Sequence, residues 1–312
     1  MLDILGKRYY FFALSLLVIL PGLIILAING LPLAIDFSGG TILELQFPTT
    51  NLPPTEDVVQ IYNELGFREV QVQTAAGPSG QRDILVIRSP FMDEEAKNKV
   101  VSAMEERFGI DQITVSRFDS VGPVIAAQVT NRAALAVAVA ALAVVLYITY
   151  AFRGIPHAFR YGVCAIIAML HDILVVFSIT GIGSVLWGWQ MDSLFLTALL
   201  TVIGFSTQDK IVVFDRIREN SSFLRKLPFE KLANHSIVQT LQRSINTQLM
   251  TVEFMLLALA LFGGVTLREF AIILLVGLFS GTYSSIFVAA PILVVWENKE
   301  WRTWFRKQNA SA

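Results

Sequence analysis

Six stretches of the chain are apolar for long enough to cross a bilayer as helices: about 9–29, 132–151, 160–183, 193–214, 246–264 and 268–295. A hydrocarbon core of roughly 30 Å needs about 20 apolar residues at helical rise. Between the first and second stretches the pattern changes to short alternating runs in polar surroundings. Leu33–Phe47 alternates around Gly39–Gly40, which predicts a bent or bulged strand. Thr55–Leu65 follows Pro53–Pro54 and carries Glu56 and Asp57 in its first turn, a helix start. Glu69–Thr74 and Ile84–Ile87 read as strands flanking the turn Gly77-Pro78-Ser79-Gly80. Asp93–Phe108 places Val100, Val101, Met104 and Phe108 on one helical face, and Ile113–Phe118 alternates as a last strand. The order β-α-β-β-α-β predicts a ferredoxin-like α+β domain.

The expected organisation is an α-helical membrane protein. Residues 1–29 form a short N-terminus and first span, 30–131 the α+β domain, 132–295 spans two to six, and 296–312 a tail. The first span follows Lys7 and Arg8, exceeds a signal-peptide core and lacks a small-residue cleavage site, so it reads as an uncleaved anchor. Lys and Arg flank alternate loops. Lys7, Arg8, Arg153, Arg160, Arg216, Arg218, Arg225, Lys226, Lys231, Lys299, Arg302, Arg306 and Lys307 fall on one side, and Arg268 alone marks the short loops opposite. By the positive-inside rule both termini are cytoplasmic and 30–131 is extracytoplasmic.

Composition narrows the function classes. The chain is 54% hydrophobic and 16% charged, with a mean hydropathy of +0.60. That excludes a disordered chain, a nucleic-acid binder and an ordinary cytosolic enzyme. The single cysteine, Cys164, leaves no internal disulfide, and His157, His171 and His235 have no metal-ligand spacing. No phosphate-binding glycine loop or nucleophile elbow is present, so neither an enzyme site nor a cofactor is expected.

Chemistry is expected where charge enters the spans, because it is costly there. The fourth span carries Ser206-Thr207-Gln208-Asp209-Lys210, with Asp209 about 7 Å inside the cytoplasmic end. Arg243 opens the fifth span on the same side. Depth therefore predicts an Asp209–Arg243 pair, either a titratable carboxylate set by its arginine or a static link between helices. His171-Asp172 lies near the middle of the third span and predicts a polar network or relay contribution. Glu253 lies within the fifth span, where Lys210 is a candidate partner. Gly204, Gly263–Gly264, Gly277 and Gly281 are small positions suited to close helix packing.

The chain resembles the SecF family, the six-span partners of SecD in the bacterial SecD–SecF accessory complex. The resemblance rests on Ile35-Asp36-Phe37-Ser38-Gly39-Gly40-Thr41, Val121-Gly122-Pro123, Leu170-His171-Asp172, Val212–Asn220, Gln239-Thr240-Leu241 with Arg243, and Gly281–Phe287. It implies half of an RND-type bundle in the cytoplasmic membrane, associated with SecD and the SecYEG channel, and with YajC and SecA. Such a complex uses the proton-motive force to assist late export of unfolded polypeptide. Membrane lipid is a further contact, and nucleic acid is not. By motif position the relay residues implied are Asp209 and Arg243. His171, Asp172, Ser206, Gln208, Lys210 and Glu253 stand as supporting groups, and Asp36, Gly39 and Gly40 as the extracytoplasmic motif. The other reading is a non-conducting scaffold that stabilises SecD and the translocase. Three positions depart from the family: Gln208 and Lys210 replace an asparagine and a threonine, and Glu253 stands where the family is uncharged. The chain's length suits a separate SecF rather than a SecD–SecF fusion.

Overall fold

The computed structural model describes residues 3–48, 52–75, 84–110, 113–153, 158–224, 226–248, 254–262 and 265–300. The chain divides into two compact units, Met1–Pro32 with Leu135–Ala312, and Leu33–Ala134.

The second unit is an antiparallel sheet with two packed helices. Its strands are β1 (Gly40–Gln46), β2 (Gln71–Ala75), β3 (Ile84–Ser89) and β4 (Thr114–Val121), in the order β2-β3-β1-β4. β1 pairs with β3 through Leu43↔Ile87 and Leu45↔Leu85, and with β4 across a register shift at Glu44/Leu45. Alternation puts Leu43, Leu45, Leu85 and Ile87 on one face. There they meet Val58, Ile61 and Tyr62 of α3 (Thr55–Glu64) and Val100 and Met104 of α4 (Glu94–Phe108). The Asp93 side chain accepts the Ala96 amide at 2.9 Å to start α4, and left-handed Gly109 ends it.

The strand expected from Leu33 begins later. Ile35–Ser38 is a single helical turn, α2, closed by the Gly39 amide on Ile35 O at 2.9 Å. Gly39 and Gly40 have φ of 74° and 122°, which L side chains rarely adopt, so the chain reverses there and alternation starts at Gly40. A Cβ on Gly40 would also stand 2.8 Å from Ser89 O. Asp36 lies in the first turn of α2, half-buried. The expected turn at 77–80 is outside the described residues.

The first unit is helical. It contains α1 (Arg8–Asn29), the part of α5 (Pro123–Ala151) from Leu135 onward, α6 (Ala158–Trp187), α7 (Ser193–Phe223), α8 (Phe229–Gln248), α9 (Phe254–Phe262), α10 (Val265–Ser284), a π-helical turn at Ser285–Ala289, and α11 (Ala290–Glu297). Five helical segments among the described residues are long and apolar enough to cross a membrane: Leu5–Asn29, Pro123–Ala151, Phe159–Trp187, Ser193–Phe223 and Leu267–Glu297. The expected span at 246–264 includes 249–253 and 263–264, which are outside the described residues, so six spans are not counted. The helix expected from residue 132 starts at Pro123, a residue suited to a first turn because it needs no amide partner.

Glycines set the closest approaches. A Cβ on Gly22 of α1 would lie 2.0 Å from Ser178 O of α6, and one on Gly277 of α10 would lie 2.2 Å from Val202 of α7. Gly281 lies over Ser206, 3.2 Å from where its Cβ would be. A Cβ on Gly204 would meet nothing within 4 Å among the described residues, so no close packing is seen there. Gly263–Gly264 are outside the described residues.

At one end, Arg8 gathers three parts of the chain. It donates to Glu230 at 2.8 Å and to Glu300 at 2.7 and 3.2 Å, while Tyr9 OH donates to Glu300 at 2.8 Å. The Asn234 side chain accepts the Ile4 and Leu5 amides.

Two outcomes are expected. Among the described residues the buried Tyr62 hydroxyl has no hydrogen-bond partner, and burial pushes its pKa up. Tyr62→Phe removes that unsatisfied group and should stabilise the sheet unit by about 1 kcal/mol. Slower amide exchange at Leu43 and Leu45 in the full chain checks it. Burial opposes charge on Glu300, but hydrogen bonds from Asn298, Tyr9 and Arg8, with the Arg8 charge, hold its carboxyl below the ordinary range. A depressed folded-state pKa gives stability that is present above the ordinary carboxylate range and lost as pH falls through the lower value. The melting-temperature gap between the natural chain and Glu300→Gln should therefore close on acidification. A gap constant with pH would exclude the linkage.

Candidate functional site

Three helices converge on one carboxylate. Asp172 projects from α6 with 1% of its surface exposed. Ser206 and Lys210 are four apart on α7, and Ser280 and Ser284 are four apart on α10, so each pair occupies one helical face. All four side chains reach Asp172. Lys210 Nζ donates to Oδ2 at 2.7 Å, Ser206 Oγ to Oδ2 at 2.6 Å, Ser284 Oγ to Oδ2 at 2.7 Å and Ser280 Oγ to Oδ1 at 2.7 Å. His171 Nδ1 lies 3.1 Å from Oδ1. Lys210 is fully buried and also donates to Ser206 O at 3.2 Å and to Ser206 Oγ.

A charge in a span is tolerable only when paired and hydrogen-bonded, and both charges here meet that condition. The close approach of Gly281 to Ser206 puts α10 near enough for its serines to reach the carboxylate. The His171 ring stacks on Tyr283, with centroids 6.1 Å apart, and its Nε2 has no partner among the described residues. Tyr283 OH donates to Phe11 O at 2.9 Å, which extends the cluster to α1.

Asp209 neighbours Lys210 in sequence but turns elsewhere. It is 9% exposed and accepts a hydrogen bond from Thr282 Oγ1 at 3.2 Å. The expected ion pair with Arg243 is absent among the described residues. The reason is azimuth. Leu232, Ala233, Ser236, Ile237, Thr240, Ser244 and Gln248 form the buried stripe of α8, and Arg243 lies beside it, exposed. The lysine expected to act beside Asp209, or with Glu253, is instead held by Asp172. Glu253 itself is outside the described residues. Gln208 is exposed and lines a groove of about 390 Å³ between α5 and α7 with Tyr147, Gly204 and Thr207, away from Asp172.

Of the residues singled out from sequence, His171, Asp172, Ser206 and Lys210 meet in one cluster, and Asp209 lies at its side with Thr282. Arg243 and Gln208 stand apart from it. Asp36, Gly39 and Gly40 belong to the other unit. Sequence reasoning missed Ser280, Thr282, Tyr283 and Ser284 as site residues. The signal for Ser280 and Ser284 was their four-residue spacing, which matches that of Ser206 and Lys210, whereas Thr282 and Tyr283 had no such spacing.

Residues 100–299 match the family described as protein export membrane protein SecD/SecF, C-terminal, and residues 24–47 match the SecD/SecF GG motif. The chain is 66% identical over 307 residues to a protein translocase subunit SecF of Anaerolinea thermophila, covering 98% of each chain. It is 35% identical over 302 residues to a protein translocase subunit SecDF of Thermus thermophilus, covering 95% of this chain and 39% of that one. A crystal structure of SecDF from Thermus thermophilus, described as a translocon-associated membrane protein, is similar with a TM-score of 0.78 at 32% identity. There too the match covers 95% of this chain and 39% of the other.

Asp172→Asn leaves Lys210 a buried cation without its counter-charge and should cost about 3–5 kcal/mol. Combining it with Lys210→Met should recover most of that loss, because no uncompensated charge remains. Melting midpoints of the natural chain, both single variants and the double variant check this, and additive losses would show that the two side chains do not act as a pair.

Proposed function

The chain belongs to the SecF family of protein translocase subunits, and on that premise we propose that it is a proton-coupled partner of SecD assisting protein export. The observation that carries the reading is the unequal treatment of two neighbouring carboxylates. Protonating Asp172 requires breaking a buried ion pair and displacing several hydroxyl donors. Protonating Asp209 disturbs one hydroxyl hydrogen bond and breaks no short ion pair among the described residues. Asp209 is therefore the carboxylate that exchanges the proton. The exposed Arg243 biases it by charge at a distance, and His171, Asp172, Ser206 and Lys210 hold the helix that presents it. Each proton moving down a potential of 100 mV supplies about 2.3 kcal/mol, enough to shift a two-state population of the bundle.

The fused length of the SecDF relatives supports SecD as the partner. In this reading the chain sits in the cytoplasmic membrane with both termini inside. A sixth span runs through 246–264, and SecYEG, YajC and SecA are neighbours in the assembly. The sheet unit, whose strand order β2-β3-β1-β4 is that of a ferredoxin-like split βαβ fold, is extracytoplasmic and handles emerging polypeptide. The saturated Asp172–Lys210 network favours a second reading, a non-conducting scaffold.

Export in cells carrying Asp209→Asn, with SecD co-purified from the same membranes, separates the two. The proton reading expects export to fall at least tenfold with normal SecD recovery. Normal export removes Asp209 from the mechanism. Retained function in Asp209→Arg with Arg243→Asp favours the scaffold.

A further inference from the structure

Lys210 is a cation that the chain itself delivers into a cluster of oxygens. An ammonium has three N–H donors, and three acceptors meet this one: Asp172 Oδ2, Ser206 Oγ and Ser206 O. A carboxylate, a hydroxyl and a backbone carbonyl are also the ligands that hard metal cations take. Ser280 and Ser284 hold the carboxylate from α10 at 2.7 Å each, so its oxygens are positioned by groups other than the lysine. Lys210 and Asp172 are 0% and 1% exposed, so whatever balances Asp172 must share its burial.

We infer that Asp172, Ser206, Ser280 and Ser284 form a seat for a monovalent alkali cation, and that the Lys210 ammonium occupies it and closes it to free ions. Three features of the cluster argue for this. The negative charge to be balanced there is a single carboxylate, so one positive charge neutralises it, whereas a divalent ion leaves an uncompensated charge in a dry interior. Three oxygens surround the ammonium, Asp172 Oδ2 at 2.7 Å, Ser206 O at 3.2 Å and Ser206 Oγ nearer than either, and they bound a space that a single desolvated cation fills. Two of the direct ligands come from one residue, Ser206, and stay in place when the side chain of Lys210 is shortened. Lys210 is on this account a specificity residue that keeps metal cations out of the interior beside Asp209. The inference goes beyond the proton reading of Asp209 and does not depend on it.

The test is binding by the purified full chain rather than export. Lys210→Ser deletes the tethered cation and leaves the oxygens. Its melting midpoint is compared in potassium chloride, sodium chloride and choline chloride at equal ionic strength, since a ligand that binds the folded state alone raises the midpoint. The expected result is a midpoint several degrees higher in potassium or sodium than in choline, with no such difference for the natural chain. The larger of the two shifts reports the size of the seat. Asp172→Asn with Lys210→Ser keeps the hydroxyls without the charge and should show no alkali response. Equal midpoints of Lys210→Ser in all three salts would overturn the proposal, because Asp172 is then neutralised by a proton. So would an equal alkali response in the natural chain. Failure of Lys210→Ser to fold in potassium chloride while the double variant folds would overturn it too, since a seated ion would have compensated Asp172.

Discussion

The helical unit is organised around the ion pair between Asp172 and Lys210. Two charges removed from water cost several kcal/mol each, and their mutual attraction offsets this only when geometry is good and the remaining lone pairs are used. Both requirements are met from three directions. α6 provides the carboxylate, α7 the ammonium and one hydroxyl, and α10 two further hydroxyls. Each donor comes from a fixed azimuth on its helix, so rotating or sliding any of the three helices leaves a charge short of partners. Apolar packing alone tolerates such slips more readily, because lipid and side chain are similarly apolar. The glycines act in support. Gly277 against Val202 and Gly281 against Ser206 bring the α10 backbone close enough for serine, a short side chain, to reach across.

This arrangement also divides labour between adjacent residues. Asp209 and Lys210 are consecutive on α7, about 100° apart around its axis. One points into the Asp172 cluster and the other towards Thr282 of α10. A lysine next to a buried aspartate in sequence suggests that the two neutralise each other. Consecutive side chains on a helix leave it in different directions, and this lysine is taken by a carboxylate on another helix. Lys210 is thus bound into the Asp172 cluster, and Asp209 keeps one hydroxyl hydrogen bond, from Thr282, among the described residues.

How far this was legible in the sequence depends on dimension. Apolar length is a property of the chain alone, and the long helices α1, α6 and α7 are recognisable from it. Counting residues also gave an expected depth for Asp209 and Arg243. It gave no azimuth. Depth placed Arg243 level with Asp209, but the buried stripe of α8 passes through Thr240 and Ser244 and leaves Arg243 beside it. His171-Asp172 was readable as part of a polar network, but its other members were not, because nothing along the chain says that α7 and α10 turn their polar faces to Asp172. The paired spacings Ser206/Lys210 and Ser280/Ser284 were the usable signal. In the sheet unit, alternation located β1, but the helical turn at Ile35–Ser38 depends on Gly39 taking a positive φ, which a hydrophobic pattern does not encode.

The energies decide which parts of the helical unit can move for one proton. Separating Asp172 from Lys210 costs about 3–5 kcal/mol when one partner is left uncompensated, more than the roughly 2.3 kcal/mol that a charge gains across 100 mV. α6, α7 and α10 are therefore expected to stay joined at that level through any step driven by a single proton. The contacts of α7 with α8 are of another kind. Asn220 donates to Ser236 at 2.8 Å and to Gln239 at 3.0 Å, and Arg216 donates to Gln239 at 2.7 Å. Hydrogen bonds of this sort contribute about 0.5–1.5 kcal/mol net when neutral and about 1.5–3 kcal/mol when one partner is charged, and Val213, Phe214 and Ile217 of α7 share a buried apolar cluster with Leu232, Ala233 and Ile237 of α8. Asp209 lies on the welded helix against Thr282 of α10, and Arg243 lies on α8 beside its buried stripe. A change of charge at Asp209 disturbs that one hydroxyl hydrogen bond and leaves the Asp172 core intact.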